Sequence, residues 1–219
     1  MQKTRKNLLE TGRTNMQSMI DITNERESLY PFAYQKTTAF DKKQTQRILQ
    51  KVYNHLAEFI SIEMRPNSVS FINKNRKTCR IVIYDLNKLI QEKNLFVVIF
   101  YANKRMNLTE EFNKKFFETD WGVAMTMMGN NNILCYASQE LSDGNWFNIV
   151  LFTKEIGTHD VTTTDKHKYA AYEVAPKRFS WVRLHNAFLP QGITNFKDIV
   201  LRKTNYYNFD DNWFAVRKY

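Results

Sequence analysis

The chain has 219 residues, and its 32 lysines and arginines against 22 acidic residues give a net charge of +10. This length suits one large domain, or a core domain with an extension, and it can bury an ordinary hydrophobic core without a metal or disulfide staple. The charge favours anionic partners. The presence of only six glycines argues against a glycine-rich nucleotide cradle.

Apolar runs and cysteines narrow the class of protein further. The longest apolar runs, such as 95–102, are far shorter than the roughly 20 residues of a membrane span. No signal-peptide apolar region follows the first residues, so we expect a cytoplasmic protein without membrane contact. Cys79 and Cys135 lie in apolar runs with no Cys or His at ligand spacing, which predicts buried thiols and not a disulfide or a nucleophile.

The first part of the chain predicts an extension followed by one strong helix. Residues 1–40 show only a weak helical pattern and are interpreted as an N-terminal helical extension. Asp41 is a suitable N-cap for a helix over about 41–63, which Pro66 ends. The apolar stripe of this helix is Ile48, Leu49, Val52, Tyr53, Leu56, Phe59 and Ile60. The segment 41–94 is completed by predicted strands at 69–72 and 80–84 and a helical turn at 86–92.

From residue 95 the pattern becomes that of a sheet with two helices. The run LFVVIFY (95–101) is continuously apolar, which predicts a strand in the middle of a sheet. Thr109 is predicted to cap a helix that carries Glu110 and Glu111 in its first turn. The elements that follow are strands at 123–128, 133–141 and 147–153, a helix at 165–174 ended by Pro176, and a strand at 181–189. The tail, 199–203 and the tyrosine-rich 206–219, is predicted to form edge strands or an aromatic arm that covers the core.

This order predicts an α+β fold with a ferredoxin-like βαββαβ core that contains one extra hairpin strand. Such a core has an antiparallel sheet with both helices on one face, and it leaves the other face free for a partner sheet or a ligand. The predicted organisation is therefore an extension (1–40), a helix with short strands packed on the core (41–94), and the core with its C-terminal arm (95–219).

Three segments of the core resemble a known family. The strand FNIVLFT (147–153), the helix opening DKHKYAA (165–171) and the return strand WVRLH (181–185) are similar to the dimeric α/β barrel superfamily. That superfamily includes antibiotic-biosynthesis-monooxygenase-like and haem-binding proteins. Over residues 95–189 the resemblance implies a homodimer paired through its sheets and a cavity between the helices and the sheet of each unit. The implied ligand is planar or apolar, including haem, and the implied chemistry is that of an oxidoreductase or a lyase.

His167 is the first candidate for a catalytic or metal-ligating residue. The resemblance implies a histidine on the second helix as an iron ligand, and His167 occupies the matching position near the start of that helix. Neutral imidazole can also act as a base near pH 7. The alternative is an exposed polar residue between Lys166 and Lys168.

A second group of candidates lies on the return strand. Strand alternation places Trp181, Arg183 and His185 on one face, where they could bind a carboxylate or a haem propionate. In the haem hypothesis His167 or His185 ligates iron and Arg183 holds an acidic group of the ligand. The alternative is a solvated or interfacial row. Trp146 is a further candidate for ring contact with a ligand.

Two other functions stay open at this level. The basic segment NKNRKTCR (73–80) makes Arg76, Lys77 and Arg80 candidates for nucleic-acid binding, supported by the tail residues Arg202, Lys203, Tyr206 and Tyr207. Stacking rings beside basic side chains suit single strands. In the last alternative the protein has no ligand, and its aromatic residues only fill the core and an interface.

Overall fold

The structure, a computed structural model, describes residues 18–60, 67–72, 77–155 and 161–219. The elements in chain order are β1 (Ile20–Asp21), a 3-10 turn (Pro31–Ala33), α1 (Thr37–Ile60), β2 (Asn67–Ile72), β3 (Thr78–Ile83), α2 (Leu86–Gln91), β4 (Asn94–Lys104), α3 (Glu110–Thr126), β5 (Ile133–Glu140), β6 (Trp146–Phe152), α4 (Asp165–Tyr169), a π-helical turn (Ala170–Val174), α5 (Ala175–Arg178), β7 (Phe179–Pro190), a 3-10 segment (Ile193–Asp198), β8 (Val200–Asn208) and β9 (Trp213–Lys218).

The described strands form one nine-stranded sheet in the order β1-β9-β8-β7-β4-β6-β5-β3-β2. Every neighbouring pair is antiparallel except β1 with β9. The LFVVIFY run forms β4, which lies between β6 and β7 as its unbroken apolar character predicts. The described residues contain no helix with the length and apolar character that a membrane span requires.

The ferredoxin-like pattern is present only as the centre of this larger sheet. The order β7-β4-β6-β5, with α3 after β4 and the α4–α5 helix after β6, is that of a βαββαβ unit. However, β3 and β2 extend the sheet beyond β5, and β8, β9 and β1 extend it beyond β7. The fold is therefore α+β, but it is not a simple ferredoxin-like core.

The extra strand predicted at 123–128 is wrong, because α3 continues through it to Thr126. Thr109 caps α3 as predicted, its hydroxyl accepting a hydrogen bond from the Phe112 amide at 3.1 Å. Phe116, Asp120 and Val123 are buried at helical spacing along this helix. A short apolar run is compatible with a buried helix as well as with a strand, and here the helical packing prevails.

The sheet is covered on both faces, which corrects the expectation of one free face. One face, the helix face, carries α3 and the α4–α5 helix, against which Val98 and Phe100 of β4 pack. The opposite face, the α1 face, is covered by α1, α2 and the 3-10 segment. Ile48, Leu49 and Val52 of α1 are fully buried there. The implied homodimer stays a prediction, but its expected contact face is occupied by this chain itself.

The start of the described chain also differs from the prediction. Residues 18–36 contribute β1 and a 3-10 turn and not a helical extension, and residues 1–17 lie outside the described part. The helix predicted from residue 41 begins at Thr37, so Asp41 lies one turn inside it and is not its N-cap. Cys79 and Cys135 are buried and free, as predicted.

Candidate ligand-binding site

A cavity of about 210 Å³ lies between α3, the α4–α5 helix and the helix face of the sheet. Its lining is predominantly apolar and comes from four strands and both helices. Representative lining side chains are Val98, Phe100, Val123, Met127, Val150 and Phe179. This is the place in the fold where the resemblance implies a cavity. Small-molecule sites are commonly apolar hollows with a few placed polar groups.

The π-helical turn (Ala170–Val174) forms part of the cavity wall. The amide of Ala175 bonds the carbonyl of Ala170, five residues earlier, and Pro176 follows without an amide hydrogen to donate. The helix therefore widens and continues to Arg178, whereas the sequence predicted its end at residue 174. Ala170 and Ala171 in this turn face the cavity, and their small side chains leave it open.

His167, Trp146 and Asn148 all line this cavity. Thr164 caps α4 through the His167 amide, which holds His167 in the first turn of the helix. Burial lowers the pKa of the His167 imidazole below its ordinary 6.5, so the ring is neutral at pH 7. Among the described residues, neither the His167 ring nor the Asn148 amide has a hydrogen-bond partner. Both groups are therefore available to a ligand.

A buried polar cluster closes one end of the cavity around Asp120. The Asp120 carboxylate accepts hydrogen bonds from the hydroxyls of Tyr136 and Ser138 and from Nη1 of Arg80 at 2.5 Å. Burial raises the pKa of Asp120, although the hydrogen bonds and the Arg80 charge oppose this effect. Burial and the nearby Asp120 also raise the pKa of Tyr136 well above 10, so the phenol keeps its proton. Arg80 and Asp120 therefore form an ion pair at this end of the cavity.

Sequence reasoning did not single out Asn148, Asp120 or Tyr136. A weak signal existed for the first two. Asp120 interrupts the apolar positions of α3 at core spacing, and Asn148 is the one polar residue inside FNIVLF. A polar residue at a core position needs either a partner or a function.

The candidates on the return strand lie on the other face of the sheet, beneath α1. Arg183 donates to the Asp41 carboxylate from Nε at 2.5 Å and from Nη2 at 2.7 Å. Nε2 of His185 lies 3.0 Å from Asp41 Oδ2, and its Nδ1 lies 2.6 Å from Oγ1 of Thr204. Asp41 and His185 are both 0 % exposed. Trp181 lies beneath the Arg183 guanidinium, at 4.7 Å.

The order carboxylate, imidazole, hydroxyl in this cluster resembles a catalytic triad, but burial excludes that role. Thr204 is 0 % exposed, so its hydroxyl is closed to a substrate. Burial alone would raise the pKa of Asp41, yet the hydrogen bond from His185 and the charge of Arg183 outweigh it and lower the pKa below 3.8. The cluster joins α1 to the sheet.

These positions correct the haem hypothesis. His167 lies on the helix face and Arg183 and His185 on the α1 face, so the sheet separates the two groups and they cannot hold one ligand. The cavity is also smaller than the roughly 300–1,000 Å³ typical of drug-sized ligands, and haem, with four pyrrole rings, is a large ligand. Haem does not fit this cavity.

The basic residues proposed for nucleic acid are largely engaged. Lys77 pairs with Glu140 at 3.0 Å, and Arg80 pairs with Asp120 while its guanidinium lies 4.8 Å from the Trp121 ring. Arg76 lies outside the described residues. Over the described ranges, no group of three or more acidic, histidine or cysteine side chains could hold a metal ion.

Comparison with known proteins gives little further information. No family model matches the chain, and no curated protein matches its sequence. A crystal structure of a candidate monooxygenase from Lactobacillus acidophilus NCFM is similar with a TM-score of 0.37 and 12 % identity, over 74 % of this chain and 92 % of that one. A likeness at this level carries no argument about function, which must come from the geometry of the cavity.

Proposed function

We propose that this protein binds a small, uncharged, planar or apolar molecule of about one ring in the cavity of the helix face. The observation that carries the proposal is an apolar space of about 210 Å³ whose lining includes two polar side chains, Asn148 and His167, with no hydrogen-bond partner among the described residues. An apolar cavity of about 150 Å³ in another protein is large enough for benzene. A charged ligand would lose its hydration without gaining an opposite charge, because Asp120 and Arg80 already pair.

The two polar groups suggest how such a molecule is oriented. Its ring would contact Val98, Phe100 and Trp146, and a hydroxyl or carbonyl would bond the Asn148 amide or the His167 ring. If the chain also catalyses the oxidoreductase or lyase chemistry implied by the resemblance, neutral His167 is the cavity residue suited to accept a proton.

The test uses three probes of similar size in a thermal-shift assay: toluene, benzyl alcohol and benzoate. A probe at ten times its Kd stabilises the folded state by about 1.4 kcal/mol, which is about 3–6 °C for a chain of this size. We expect benzyl alcohol to bind best, toluene next and benzoate not at all. Absence of a shift with all three probes would contradict the proposal.

Variants assign the binding to the cavity. Ala171→Phe places a ring in the cavity and should abolish the shift, whereas Ala39→Phe, at an exposed position of α1, should preserve it. Asn148→Leu should keep toluene binding and remove the preference for benzyl alcohol. A shift that survives in Ala171→Phe would mean that the probes bind elsewhere.

The pH profile tests the role of His167. The imidazole is neutral above its lowered pKa and accepts a hydrogen bond there. Benzyl alcohol binding should therefore be constant above pH 6.5 and weaken as the pH falls through the lowered value, while toluene binding changes less. If the pH dependence of binding is the same for both probes, or is unchanged in His167→Gln, then His167 does not contact the ligand.

A further inference from the structure

The two helices that build the cavity cover the β8–β9 end of the helix face only in part. The apolar clusters beneath α3 and α4–α5 contain side chains of β3, β4, β5, β6 and β7, and they reach β8 at Tyr207. On the neighbouring strands β8 and β9, Val200, Arg202 and Lys218 stay exposed, and Lys203 is half-buried. No described residue of β8 or β9 lines the cavity, so a ligand in the cavity would not contact these exposed side chains.

Three cations lie side by side on this β8–β9 end of the helix face. Lys203 of β8 stands directly opposite Lys218 of β9 in the sheet register, and Arg202 precedes Lys203 at a β-bulge. None of the three makes an ion pair with a described residue. The charge of Lys218 contributes to the lowered pKa of Asp21, but the two side chains are too far apart to form an ion pair. Like charges directly opposite one another destabilise a sheet, and a bound anion would remove this repulsion.

Aromatic rings flank the cations at both ends. At one end the Phe96 and Phe188 rings meet at 5.6 Å, and the Arg202 guanidinium lies 4.7 Å from the Phe188 ring centre. At the other end Tyr207 and Phe214 stack at 4.9 Å. Arg202 and Tyr207 are five residues apart on β8, which spans about 17 Å of strand. The surface thus alternates ring, positive charge and ring along its length.

We propose that this surface, formed by Phe188, Arg202, Lys203, Tyr207 and Lys218, binds single-stranded nucleic acid. The cations neutralise phosphates, and unstacked bases lie against the rings or the Arg202 plane. A duplex keeps its bases stacked inside, and an acidic peptide has no bases, so neither uses the rings. The position differs from the basic segment singled out in the sequence, and Tyr206, also considered there, is buried on the α1 face.

The test is fluorescence polarisation of the full chain with a labelled single-stranded dT oligonucleotide. Neutralising three phosphates predicts a slope of about −2 in log K against log salt, or about 20-fold weaker binding on raising salt from about 50 to 200 mM. The triple variant R202Q/K203Q/K218Q should bind at least 10-fold more weakly and lose most of this slope. Phe188→Leu should weaken binding about 5-fold or more through lost stacking.

The matched control is K42Q/K43Q/K197Q, which removes the same charge from the opposite side of the protein and should bind like the wild type. A duplex of the same length and polyglutamate are expected to bind more weakly than the single strand. The proposal is overturned if the oligonucleotide does not bind, if both triple variants lose affinity equally, or if polyglutamate or duplex binds as tightly. Thermal melts of all variants establish that each is folded.

Discussion

Replacing Asp41 with asparagine tests whether the buried cluster on the α1 face holds α1 to the sheet. The carboxylate accepts two hydrogen bonds from Arg183 and faces the His185 ring, and all three residues are at most 4 % exposed. Asparagine has nearly the same shape but leaves the Arg183 charge buried without an opposite charge. Removing one partner of such a pair costs about 3–5 kcal/mol. For a chain of this size that corresponds to a melting temperature lower by about 6–20 °C.

The assay is urea unfolding followed by tryptophan fluorescence and by circular dichroism. The control is Asp198→Asn, the same chemical change at an exposed position, where a change within about 0.5 kcal/mol is expected. The double variant Asp41→Leu/Arg183→Met should recover part of the loss, because it removes both buried charges together. A loss below about 1 kcal/mol in Asp41→Asn would refute the structural role of the cluster.

The effect should depend on pH in a defined direction. The folded-state pKa of Asp41 is lowered, so its contribution to stability is fully present above the unfolded value of 3.8. It is lost as the pH falls through the lowered pKa. The stability difference between wild type and Asp41→Asn should therefore be constant near neutral pH and shrink below about pH 4. If the stability difference between wild type and Asp41→Asn grows on acidification, the pKa of Asp41 is not lowered in the folded state.

The remaining predictions concern glycines and cysteines. Gly192→Ala should destabilise the protein by more than about 1 kcal/mol in urea unfolding, because its φ is +78° and an added Cβ would collide with the Glu92 carbonyl. Gly122→Ala lies inside α3, where an added Cβ makes only ordinary contacts, and should instead stabilise the protein by up to about 1 kcal/mol. The same change in unfolding free energy for the two variants would contradict both predictions. Burial raises the pKa of the Cys79 and Cys135 thiols. Neither should react with a thiol reagent in the native state, whereas both should react in urea.

Local pattern predicted most of the central elements, because their signals are local. The unbroken apolar run of β4 and the Thr109 cap of α3 depend only on neighbouring residues, and both are present. The sequence predicts a strand at 123–128, where α3 continues to Thr126, because a short and mostly apolar run fits either structure. The continuation of a helix through Pro176 was missed because it depends on a π-turn that the sequence does not mark.

The site was harder to predict because its geometry depends on distant pairings. Strand alternation placed Arg183 and His185 correctly on one face, but their partner Asp41 lies 142 residues before Arg183. No local pattern shows that α1 covers that face and excludes a ligand from it. His167 lies in the cavity wall, and its role with a ligand stays a prediction. Asn148 and Asp120 can be recognised as cavity residues only when the positions of the sheet and α3 are known.

The parallel pairing of β1 with β9 has a consequence for biosynthesis. β1 lies at residues 20–21 and its partner at 213–218, so the first described strand has no place in the sheet until the last one is made. At about 5–20 residues per second the ribosome takes roughly 10–40 s to cover that interval. Until residue 183 has been synthesised, Asp41 of α1 also lacks its ion-pair partner Arg183. We expect the nascent chain to expose the α1 face to chaperones until synthesis is nearly complete.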